Sequence, residues 1–195
     1  MLSETFKKTG SMKIVYTLLL AISIIFTVSC EQKTDYEQLV ESELEKGVRN
    51  DSLFLGYYLG MERKEFFDYS WQLNQQQVIM GGSRIEYELD HFKKNATMRF
   101  YPDFKDNQIY KMPVEISYDA WAPWNKELFS DSLIVEVLDH YKDEYGDNFI
   151  KTLHPENGKE AWINVSGNRR IAIFKKDDTI VQVEFLDLTA QNKVS

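Results

Sequence analysis

Two periodicities alternate along this chain. Residues 36–46 place Tyr36, Leu39, Val40 and Leu44 near a 3.6-residue spacing, with Gly47 just beyond. That is the pattern of an amphipathic helix and its stop. Residues 53–61, LFLGYYLGM, are apolar and broken by glycine, which predicts a buried turn leading into a second helix over 62–76. Phe66, Phe67, Tyr69, Trp71 and Leu73 are its expected inward side chains. The period then drops to 2. Ile85, Tyr87 and Leu89 alternate with charges, Met98 and Phe100 alternate with Thr97, Arg99 and Tyr101, and Tyr110, Met112, Val114, Ile116 and Tyr118 alternate with Lys111, Glu115 and Ser117. One dry face and one wet face predict antiparallel strands packed on one side. Pro113 inside the third run predicts an edge or a bulge, because proline has no N–H to donate to a ladder.

The helical period returns over 128–145, where Leu133, Ile134, Val137, Leu138 and Tyr141 form the stripe, Ser130 and Asp131 offer caps and Gly146 is the stop. A second set of strands follows. Residues 149–153 form a short one, Ala161, Ile163 and Val165 alternate inward, and SGNR at 166–169 makes a turn. Residues 170–174 and 179–188 then pair across KKDD. Helices, strands, a helix and strands again imply an α+β fold, with helices packed on an antiparallel β-sheet. Residues 36–195 read as one α+β domain built from two helix-plus-meander halves, about 36–119 and 120–195.

The front end differs. Lys13 precedes an almost wholly apolar run over 14–28, and Ser29 precedes Cys30, the only cysteine. The run is shorter than the ~20 residues of a membrane-spanning helix and fits the apolar core of a secretory signal. Thr27-Val28-Ser29-Cys30 resembles the lipobox of bacterial lipoprotein signal peptides, with Thr27 where that class usually has Leu. The resemblance implies that Cys30 becomes the first mature residue and carries lipid on its sulfur, palmitate among the acyl chains. Two or more chains make such an anchor stable, at about 0.8 kcal/mol per buried methylene. Residues 1–29 are then an upstream start plus signal peptide, and 30–35 a lipidated tether. The implied partner is the membrane, and the implied location is the cell envelope.

A second resemblance covers residues 59–66, LGMERKEF. It is similar to the helix start of small outer-membrane assembly lipoproteins of the SmpA/OmlA type and of repeats in the β-lactamase inhibitory protein, with Glu62 where those have Ser or Thr. Those families imply helices on an antiparallel sheet and a protein partner without catalysis. More broadly, the chain resembles lipoproteins of the Bacteroidetes type.

Composition narrows the chemistry. The chain has 23 basic and 31 acidic residues, a net charge of −8, and losing Lys7, Lys8, Lys13 and Glu4 with a leader would make it more acidic. This argues against nucleic acid as a partner. The sequence offers no G-x-S-x-G nucleophile elbow and no phosphate-binding glycine loop, and Gly81-Gly82-Ser83 reads as a turn. His91, His140 and His154 show no metal-ligand spacing. Asp139, His140, Asp143, Glu144 and Asp147 lack the spacing of a calcium loop and read as a solvated helix face. The expectation is therefore no catalytic residues, no metal and no cofactor.

Trp121 and Trp124, in DAWAPWNKELF at 119–129, have two readings. They form an exposed aromatic platform for a sugar, peptide or partner, or they plug the junction of the two halves, as large aromatics usually do. Ser52, Ser132 and Thr179 lie in Asp-Ser/Thr-aliphatic triplets that resemble Bacteroidetes O-glycosylation acceptors, and the same triplets also start helices and end turns. Together these features lead to the expectation of a lipid-anchored, non-catalytic envelope protein that binds another protein. The alternative is a carbohydrate- or small-ligand-binding lipoprotein using an aromatic surface.

Overall fold

The computed structural model describes residues 33–82 and 84–191. Cys30, the apolar run before it and Ser83 lie outside the described residues. Helix α1 spans Asp35–Glu45 and α2 spans Arg63–Gln75. Strands β1 (Ile85–Leu89), β2 (Ala96–Phe100), β3 (Asp103–Lys105) and β4 (Gln108–Tyr118) follow. A 3₁₀ turn at Lys126–Leu128 leads into α3 (Ser130–Tyr145), and then come β5 (Ile150–Leu153), β6 (Glu160–Ser166), β7 (Arg169–Lys175), β8 (Val181–Asp187) and the short α4 (Leu188–Gln191). The fold is α+β, as the two periodicities imply.

The two meanders join into one open antiparallel sheet of order β1-β2-β4-β8-β7-β6-β5, with β3 also on β4 beyond the end of β2. The last strand of each half makes the join, Val114 opposite Val183 and Ile116 opposite Val181. Pro113 therefore sits in a central strand and not at the edge. It pairs with Glu184 of β8. On its other side the register steps from Phe100–Val114 to Asp103–Lys111, so Pro113 faces the passage from β2 to β3, where no ladder partner needs its missing N–H. The register also shifts between Asp103 and Phe104. Ile109 and Met112 thus both enter the main core, while Tyr110 turns to the opposite face, against the strict alternation expected there.

The main core lies on one face, where α2, α3 and the segment 53–61 cover the sheet. Leu53, Tyr57, Leu59 and Met61 are buried, with Leu55, Gly56 and Gly60 at positive φ. Tyr57 packs against Phe66 of α2 and Phe100 of β2 with ring centroids 5.3 and 5.5 Å away. Phe66 and Leu73 of α2 point inward as expected, whereas Phe67 and Trp71 are exposed. Of the expected caps on α3, neither Ser130 nor Asp131 serves. Phe129 is the first flanking residue, and the Ser130 N–H donates to the Asp178 carbonyl at 2.8 Å.

The second face is wet over β1 and β2 and dry over β5–β8. There α1 lays Tyr36, Leu39, Val40 and Leu44 against Ala161, Ile163, Val165, Ala172, Phe174, Leu186 and Leu188. Helices thus cover both faces of the second half, and β7 and β8 are buried nearly throughout. The turn between β6 and β7 is tied to the chain leaving α1. Asn50 bonds Ser166 and Asn168, and the Gly167 N–H donates to Glu43. Gly167 has φ +57°, and a Cβ there would lie 2.2 Å from the Val48 carbonyl oxygen, so this position requires glycine.

Covering the second face buries the polar members of β7 and β8. Arg170, Glu184 and His154 are 1%, 6% and 2% exposed. Arg170 donates to Glu184 at 2.6 Å, to Glu156 at 2.9 Å and to the Tyr36 hydroxyl at 3.2 Å, while Lys111 pairs with Glu184 at 2.7 Å. His154 Nδ1 accepts the Glu156 N–H, which leaves the ring proton on Nε2, 3.6 Å from Glu184. Burial alone would raise the Glu184 carboxyl; His154, Lys111 and Arg170 outweigh it and hold Glu184 at about 2.

That depression fixes the sign of an acid effect. A carboxyl whose folded pKa lies below its ordinary 4.5 contributes stability that is fully present above about pH 4.5 and lost as pH falls through about 2. The contribution is roughly 3 kcal/mol. Urea unfolding between pH 7 and pH 2 should show this loss in the wild type and a shallower slope in Glu184→Gln. Arg170→Ala, which leaves Glu184 with Lys111 as its one cationic partner and removes a fully buried side chain, should cost about 3 kcal/mol at pH 7.

Candidate functional site

Of the two readings of Trp121 and Trp124, burial at a junction does not hold, and both rings are on the surface. Trp124 is 85% exposed and Trp121 is 49% exposed, resting one edge near Phe129 with ring centroids 5.9 Å apart. There is no crevice for them to fill, because β4 pairs directly with β8 and the halves share one sheet. A second aromatic surface, not anticipated from the sequence, lies on α2. Phe67 and Trp71 stand one turn apart on the outer face, and Tyr101 joins Phe67 at 6.5 Å. The buried Phe66 backs both Phe67 and Tyr101 edge-on.

The hydroxyls in the three triplets differ in setting. Ser52 is exposed and bonds the Leu53 carbonyl, and Ser132 is half-buried in the first turn of α3. Thr179 is half-buried, with both its N–H and its hydroxyl donating to Asp177 in a turn.

Below the segment 53–55 and beside α3, the main-core face of the sheet opens into a cavity of about 210 Å³. Leu53, Leu89, Met98 and Ile116 make its floor, Phe54, Tyr87, Tyr141 and Tyr145 its walls, and Leu55, His91, His140 and Glu144 its remaining lining. The side chains of α3 come from positions 140, 141, 144 and 145, a single stripe at i, i+1, i+4 and i+5. Tyr141 and Tyr145 stack at 5.6 Å and lean on Phe185 of β8. Tyr145 also takes the Arg169 guanidinium over its ring at 4.7 Å. Burial raises the Tyr145 hydroxyl to about 12 and the Tyr141 hydroxyl well above its ordinary value, so both remain neutral.

His91 and His140 are 49 residues apart in sequence and meet at 3.2 Å, Nε2 to Nδ1. Glu136, one turn before His140 on α3, brings them together. It accepts from the Lys93 N–H at 2.9 Å and the Tyr118 hydroxyl at 2.8 Å, pinning the β1–β2 turn to α3. Phe92 is buried behind the pair, edge-on to both rings. Burial, then the neighbouring His91, lowers the pKa of His140 against the opposing pull of Glu144 and Asp143. His140 is therefore not merely part of a solvated helix face. The signal in the sequence was His140 and Glu144 at helical spacing, but His91 could be placed only by the turn.

The described residues contain no group of three or more His, Cys, Asp or Glu side chains already gathered as a metal cage. No helix among them is long and apolar enough to cross a membrane. If the surface tryptophans carry no packing, Trp124→Phe should change unfolding free energy by less than about 0.5 kcal/mol, whereas Phe66→Ala should cost about 3–5 kcal/mol. Urea titration of both variants checks the contrast. Comparisons with protein-family models, with curated proteins and with solved structures find no match.

Proposed function

We propose that this protein is a non-catalytic binding module whose ligand is a small molecule with an apolar body and a hydrogen-bonding head. The observation that carries this reading is the cavity of about 210 Å³, with an aliphatic floor, walls of Phe54 and three tyrosines, and His91, His140 and Glu144 beside them. A cavity of about 150 Å³ holds a benzene ring, so this one suits a monocyclic or short-chain body. Few polar groups on an apolar pocket orient a ligand and set its specificity. In this reading the histidines and Glu144 serve as hydrogen-bonding groups for the head of the ligand. With EDTA present, ligand-observed NMR against a panel of phenols and short alcohols should show saturable binding. Met98→Phe, which fills part of the floor, should weaken it at least tenfold while the protein stays folded. Equal binding in that variant would count against the pocket.

The exposed rings of Phe67, Trp71 and Tyr101 favour a second reading, in which the same module docks a protein partner through α2. Aromatic side chains are enriched at such contacts, and an exposed cluster of three is uncommon on a surface with nothing to bind. On the lipobox resemblance, we infer that Cys30 tethers the module to an envelope membrane. Crosslinking in intact cells should then capture one dominant partner that is lost in a Phe67→Ser/Trp71→Ser variant. Cys30→Ala should move the protein from the membrane fraction to the soluble one. A wild type that is itself soluble would remove the tether.

A further inference from the structure

We propose that His91 and His140 are two protein ligands of a divalent transition-metal site at the pocket, with Glu144 as the third. The proposal stands on the geometry of the pair and does not depend on the small-molecule reading. His91 Nε2 and His140 Nδ1 are 3.2 Å apart. Two imidazole nitrogens each about 2.05 Å from one tetrahedral zinc ion lie about 3.3 Å from each other. The pair therefore already has close to the separation that a shared ion imposes.

The surroundings fit the same chemistry. Glu144 follows His140 by one helical turn on the same stripe of α3, lines the same cavity and is exposed; because no three ligands are assembled among the described residues, its bond to the ion requires a change of rotamer on binding. On the far side of His91, Asp90 Oδ1 lies 3.8 Å from Nδ1. At that distance Asp90 makes no hydrogen bond to the ring and contributes only negative charge beside it. Glu136 and Phe92 hold the two supporting elements in register, so the nitrogens are preorganised by groups that are not themselves ligands. His91 is exposed, which gives an ion its entry path. Two imidazoles and one carboxylate select zinc, nickel or copper over magnesium or calcium, which prefer all-oxygen sets. Three protein ligands leave a fourth position for water.

The test is calorimetric titration of tag-free, EDTA-stripped protein with Zn²⁺ alone. The expected result is one ion per chain with a dissociation constant below about 100 µM, weakened at least tenfold in His91→Gln and in His140→Gln and less in Glu144→Gln. Because His140 supports the pocket, a measurement on the wild type accompanies the variants. The ring C–H resonances of His91 and His140 should shift on Zn²⁺ addition, while those of the buried His154 on the opposite face stay put. No saturable uptake below about 100 µM, or uptake that survives in a folded His91→Gln/His140→Gln double variant, overturns the proposal and leaves an imidazole–imidazole hydrogen bond. Ligand binding measured with EDTA present is independent of either result.

Discussion

The pairing of β4 with β8 is the constraint on which the rest of this structure depends. Residues about 70 positions apart in the chain must align, Met112 with Phe185, Val114 with Val183 and Ile116 with Val181, before the two meanders become one sheet. A slip of one residue would turn each of these side chains to the other face. The alignment puts the inward residues of both halves into one core beneath α2, α3 and the 53–61 segment. It also brings α3, which begins the second half, back over strands of the first. The histidine-lined cavity exists because of that return: its floor comes from β1, β2 and β4, and one wall from α3.

The same sheet requires α1. The second face of β5–β8 carries enough apolar surface to need a cover, and the amphipathic stripe of α1 supplies it. Covering that face takes Arg170, Glu184 and His154 out of water along with the apolar groups. Two cations and two carboxylates, Arg170, Lys111, Glu184 and Glu156, answer one another there, so burial leaves no net unpaired charge. Glu156 and His154 come from the loop after β5 and Tyr36 from α1, so the cluster fastens a loop and a helix to the sheet with directional bonds where the apolar contacts alone are non-directional.

The two ends of the binding reading are built on different principles. The cavity is held by aromatic packing and by Glu136, whose two carboxylate oxygens tie a turn and a strand to one helix. The aromatic patch joins Phe67 and Trp71 of α2 to Tyr101 after β2, with the buried Phe66 behind Phe67 and Tyr101. The first is preorganised for a small guest. The second is a surface whose rings gain apolar burial only when something covers them.

Local pattern by itself determined most of the elements of this protein. Helices at 35–45, 63–75 and 130–145 and strands from 85 to 187 follow from spacings of 3.6 and 2, because amphipathic periodicity is a short-range property that the neighbouring residues already carry. Long-range contacts decided everything that needed two segments at once. Pro113 reads as an edge signal because its ladder neighbours are not visible in sequence; the gap between β2 and β3 made a central place available. Trp121 and Trp124 allow two readings, platform or plug, and the direct β4–β8 pairing leaves them on the surface. Phe67 and Trp71 share a helix with Phe66, and only the position of Tyr101 and the sheet settled which of them stay wet. Glu184 and Arg170 look like the wet face of ordinary strands, and the loop after β5 together with Tyr36 of α1 made them interior. His91 and His140 looked unrelated because 49 residues separate them, and a turn and a helix held by Glu136 made them neighbours. Side-chain chemistry is written residue by residue, but a site is a set of distances, and those distances are fixed only when the sheet closes.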